Sequence, residues 1–67
     1  MQIITITQKG RQLARSIDAP ESPRAKIVAT LDFYHGQMTS DQVHDLVGED
    51  SGLWIRSLER DGIITVT

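Results

Sequence analysis

At 67 residues the chain has the length of one small domain, which excludes two domains, a barrel enzyme or a large substrate cavity; on general size scaling such a chain buries only roughly 60% of the surface its unfolded form exposes. Hydrophobic residues make up 39% and charged residues 24%, enough for one core and too apolar for a disordered tail, and the absence of cysteine excludes a disulfide framework or a thiolate metal site. The net charge of −2 is unevenly spread: residues 1–34 carry five basic and three acidic side chains (+2), whereas residues 35–67 carry two basic and six acidic ones (−4).

Ile3-Ile4-Thr5-Ile6-Thr7 is rich in β-branched residues and alternates in polarity over its last four positions, which predicts a half-buried strand. A short helix follows over residues 9–17. Leu13, Ala14 and Ile17 fall on one of its faces, while Arg11 and Arg15 sit four apart on another. Residues 18–23 form a connector, in which Ser22 before Pro23 supplies a capping hydroxyl and a proline at the first helical position. The next helix is expected over 23–34, because Ile27, Val28, Leu31 and Tyr34 recur as one buried stripe, and His35-Gly36 ends it.

Thr39 and Gln42 match a capping box for a further short helix, with Val43, Leu46 and Val47 inward and Gly48 as its stop. After a turn over 49–52, another apolar helix carries Trp54, Ile55 and Leu58 and ends at Asp61-Gly62. Ile63-Ile64-Thr65-Val66-Thr67 then closes the chain as a second strand that matches residues 3–7 at all but one position. Each strand offers two apolar side chains on one face, so the termini are expected to pair, antiparallel, as a two-stranded ribbon on a helical layer. The fold class expected is therefore α+β, with three to four helices and a single domain over residues 1–67.

From residue 22 to residue 66 the order is helix, short helix, turn, helix and strand, and the last helix ends in Leu58-Glu59-Arg60-Asp61-Gly62-Ile63-Ile64. This resembles the winged helix-turn-helix family over about two thirds of the chain. Leu58 would pack inward, Gly62 would turn the chain in a left-handed cap, and Ile63-Ile64 would return along the core. In that family the strand turns through a wing and comes back; here Thr5-Ile6-Thr7-Gln8-Lys9-Gly10-Arg11 looks like the missing return strand and helix start. The resemblance is thus to a winged helix permuted in sequence with its wing open, or to one completed by a swapped dimer.

The resemblance implies that the helix before Gly62 reads double-stranded DNA. With Ile55 and Leu58 inward, Leu53, Arg56, Ser57 and Arg60 fall on its opposite side, where arginines can grip phosphates or a guanine edge. A second basic set, Lys9, Arg11, Arg15, Arg24 and Lys26, would flank a duplex if the first two helices share a side. Against this stand Asp41, Asp45, Glu49, Asp50, Glu59 and Asp61, which repel phosphate unless turned away. The alternative reading is a protein-interaction or dimerisation module that uses Leu53, Trp54 and Phe33 with the acidic surface, Trp54 otherwise being the edge of the core and Tyr34 buried.

Catalysis and cofactors are not expected. His35 and His44 lie near Asp41 and Asp45, but no second ligand pair follows, and no serine or threonine sits in a nucleophile elbow or phosphate loop. No apolar run approaches the roughly 20 residues of a membrane span. A cytoplasmic protein of the DNA-binding regulator type, with no membrane association, is the reading that results.

Overall fold

The computed structural model describes residues 1–67. In chain order it contains β1 (Ile3–Ile6), α1 (Gln8–Arg15), α2 (Pro23–Phe33), β2 (Gln37–Thr39), α3 (Ser40–Val47), α4 (Ser51–Arg60) and β3 (Ile64–Val66). Local chemistry accounts for most helix starts. Thr7 accepts from Gly10 N–H at the head of α1, and Ser22 accepts from Ala25 N–H with Pro23 in the first turn of α2. At α3 both halves of the Thr39/Gln42 capping box form, with bonds of 2.9 and 3.1 Å. The exception is α4, whose N-cap Asp50 makes no side-chain capping bond.

The strands form one antiparallel sheet in the order β2-β1-β3. The expected pairing of the termini is present within a single chain, with Ile4 opposite Val66, Thr5 opposite Thr65 and Ile6 opposite Ile64. The ribbon is not two-stranded, however. Gln37–Thr39 pairs on the other side of β1, placing Ile4 opposite Met38, so the N-terminal strand is the middle of the sheet. Both neighbours of β1 are remote in sequence, so the sheet rests on long-range pairing that closes large loops.

Alternation along β1 turns Ile4 and Ile6 inward, beside Met38 and Ile64. The other wall of the core is helical: Ile27, Val28 and Leu31 from α2, Val43 from α3, and Ile55 and Leu58 from α4, with Ile63 from the turn after it. No buried side chain is polar, so the core is held by apolar burial alone. Gly10 is also buried; a Cβ there would meet the Ile63 carbonyl oxygen and Ile6 Cγ1, so only glycine lets α1 come this close to the end of α4. The result is a small α+β, winged-helix-like domain of four helices and a three-stranded sheet.

One expected core position is not in the core, and one residue of the apolar face of α1 is exposed. Tyr34 is 54% exposed, because α2 stops at Phe33 and the chain then passes through left-handed His35 (φ 63°) and Gly36 (φ 92°), which swing it away from the helical stripe. Leu13 is 38% exposed, since the inward stripe of α1 runs through Gly10, Ala14 and Ile17 and leaves Leu13 at its edge. Ala14 and Ile17 do pack against the core edge. None of the helices is long and apolar enough to cross a membrane.

Candidate nucleic-acid interface

The end of α4 is where the chain gathers positive charge. Asp61 caps this helix, and Gly62 follows at φ 76°. Three cations surround the cap. The Arg24 guanidinium reaches across from α2, donating to Asp61 Oδ2 at 2.7 Å and to Ser57 Oγ at 2.8 Å. Lys9 Nζ donates to the Asp61 carbonyl oxygen at 2.8 Å from the first turn of α1. Arg60 is the neighbouring residue, in the last turn of α4. The Arg24 hydrogen bond, and then the charges of Arg24, Arg60 and Lys9, hold the Asp61 carboxyl below its ordinary pKa in spite of some desolvation.

Electrostatics explains the gathering. The last carbonyls of a helix carry partial negative charge, so cations collect there. One carboxylate among three cations leaves the cluster net positive. Arg56 stands one helical turn before Arg60, and both are exposed and free of ion pairs. Beside Arg56 a cleft of about 330 Å³ opens between α4 and the sheet, lined by Gln2, Gly52, Ile55, Arg56, Glu59 and Val66.

The structure divides the other candidate residues. Ser57 was expected on the outward side of the helix, but it is half-buried and already accepts from Arg24. Arg11 does not share a surface with Lys9: it faces the other way and pairs with Asp32 on α2 at 3.1 Å. Arg15, four residues on, lies on that same side of α1, exposed and unpaired. The basic N-terminal set is therefore split, and only Lys9 and Arg24 join α4. Lys26 is exposed on α2 without an ion pair.

Leu53 lies within α4 and is 62% exposed, while Trp54 is half-buried against the core edge. Phe33 is 79% exposed at the end of α2. The Asp61 hub itself was not legible from spacing. Arg24 is 37 residues away and Lys9 is 52 away, and no local pattern links them to the cap.

The acidic residues are partly segregated. Asp45 lines a separate cleft between α2 and α3 with Tyr34 and Met38, whereas Glu49 and Asp50 precede α4. Both cations of α4, Arg56 and Arg60, lie in its C-terminal half, with one carboxylate, Glu59, between them. Comparison with protein-family models, curated proteins and solved structures returns no match for this chain.

Proposed function

We propose that this domain binds double-stranded DNA as a transcription regulator of the winged-helix type, through Arg56 and Arg60 of α4 and Lys9 at the head of α1. The observation that carries the reading is the convergence of Lys9, Arg24 and Arg60 on the end of α4, one turn from Arg56. Arg24 is committed to Asp61 and Ser57, so it stiffens the cluster while Arg56 and Arg60 meet phosphate, and Lys9, one of whose N–H groups donates to the Asp61 carbonyl oxygen, offers its remaining donors. Glu49 and Asp50 steer the duplex away from the start of the helix. Contact through its C-terminal half follows from that charge placement.

Three exposed cations imply a modest, strongly salt-sensitive interaction, with log affinity falling against log salt at a slope of about −3. The test is an amide NMR titration with mixed-sequence duplex at low and at high salt. Saturable shifts at Lys9, Arg56 and Arg60 that disappear with salt support the proposal. Unchanged spectra at low salt rule it out.

A further inference from the structure

We propose a second, independent binding site: the cleft between the C-terminal half of α2 and α3, which takes a short segment of a partner protein carrying a bulky apolar side chain next to Lys or Arg. The cleft has a volume of about 280 Å³ and is lined by Thr30, Tyr34, Met38, Gln42, Asp45 and Leu46. It shares no residue with the α4 surface and does not depend on the DNA-binding reading.

Its shape and chemistry name the occupant. The wall contributed by Met38 and Leu46 is apolar, and the thioether of Met38 adapts to varied side chains. Tyr34 lines the cleft, and the exposed Phe33 ring stands edge to face against it, ring centroids 5.4 Å apart. The turn at His35, the one non-glycine residue with positive φ, holds Tyr34 out of the core, while Phe33, two residues beyond buried Leu31, lies on the opposite face of α2. A space of this size is small for most ligands and suits one or two side chains.

Charge supplies the rest. Asp45 sits on the wall and Asp41 one turn before it on the same helix, both exposed, and neither has an ion pair. Asp32 nearby is neutralised by Arg11. Helix α3 carries no lysine or arginine. The site is therefore an apolar cleft with Tyr34 and the free carboxylate of Asp45 in its wall and a second carboxylate, Asp41, one helical turn away, which complements a cation beside an apolar anchor; the cation also gains the Tyr34 ring.

The test is an amide NMR titration of the full chain with three capped hexapeptides: Gly-Arg-Leu-Phe-Lys-Gly, its charge reversal Gly-Glu-Leu-Phe-Glu-Gly, and Gly-Arg-Ala-Ala-Lys-Gly. Saturable shifts at Tyr34, Met38, Gln42 and Leu46 are expected with the first, with an affinity about three- to ten-fold above that for either of the others. Phe33→Ser, on an exposed ring, and Asp45→Asn should each weaken it while leaving the remaining spectrum in place. Equal affinity for the charge-reversed peptide overturns the proposal, as does the absence of saturable shifts at the cleft. Concentration-dependent shifts of the same residues without peptide, together with slower tumbling, would assign the cleft to a second copy of this chain and overturn it as well.

Discussion

The hydroxyl of Thr7 donates to the carbonyl oxygen of Gly62 at 2.6 Å, tying the head of α1 to the end of α4 across 55 positions of sequence. Thr7 Oγ1 also accepts from Gly10 N–H at 3.1 Å, so one side chain both caps a helix and closes the chain ends. Thr7→Val keeps the shape and removes both bonds, together with the hydroxyl's 3.0 Å contact to the Ile63 carbonyl oxygen. It should cost about 1–3 kcal/mol, read by urea denaturation, and Thr7→Ser should recover most of the loss. A Thr7→Val protein as stable as the parent would show that the two bonds contribute nothing.

Two glycines should respond in opposite directions. Gly10→Ala places a Cβ 2.6 Å from Ile6 Cγ1 and against the Ile63 carbonyl. The overpacking should outweigh the better helix propensity and destabilise by about 1–3 kcal/mol. Gly52, inside α4, has nothing within 4 Å of its would-be Cβ, so Gly52→Ala should stabilise by about 0.5 kcal/mol. Thermal denaturation of the two variants decides this, and equal signs would mean that packing at Gly10 is looser than the contacts show.

Asp61 makes stability sensitive to acid. Its carboxyl is held below its ordinary pKa first by the Arg24 hydrogen bond, so the folded state binds its proton less readily than the unfolded one. The stabilisation is complete above the unfolded aspartate value of about 3.9 and is lost as pH falls through the lower folded value. Asp61→Asn should therefore lower stability at neutral pH and narrow the gap to the parent in strong acid. A gap independent of pH would remove Asp61 from the acid response.

The same substitution separates stability from binding. Asp61→Asn deletes the one carboxylate among Lys9, Arg24 and Arg60, so duplex affinity at low salt should rise by about two- to five-fold even though the fold weakens. Reduced affinity in a folded Asp61→Asn protein would place the duplex elsewhere.

Arg56→Ala and Arg60→Ala change exposed side chains without ion pairs. Each should leave stability within about 0.5 kcal/mol and reduce the salt slope of duplex binding by about 1, and together they should abolish binding. Fluorescence anisotropy over a salt series measures this. Binding that survives the double substitution excludes α4 as the contact surface.

What the amino-acid sequence determined by itself is whatever rests on neighbours a few residues apart. The Ser22 cap, the Thr39/Gln42 capping box, the turn at Gly62 and the inward stripe of Ile27, Val28 and Leu31 all depend on spacings of one helical turn, and they are where the residue pattern puts them. The pairing of the terminal strands is the one long-range feature also legible there, because both carry the same β-branched alternation. The remaining features come from contacts between elements far apart in the chain. Gln37–Thr39 is too short to show a period, and it is a strand because β1 lies beside it. Tyr34 left the core because α2 ended one residue sooner than its apolar stripe. Lys9 and Arg11 parted because a two-residue step on a helix turns the side chain by about 200°, sending one to Asp61 and the other to Asp32. Ser57 and Asp61 took Arg24 from 33 and 37 residues away, since a charge finds its partner through space, and the distance along the chain carries no record of it.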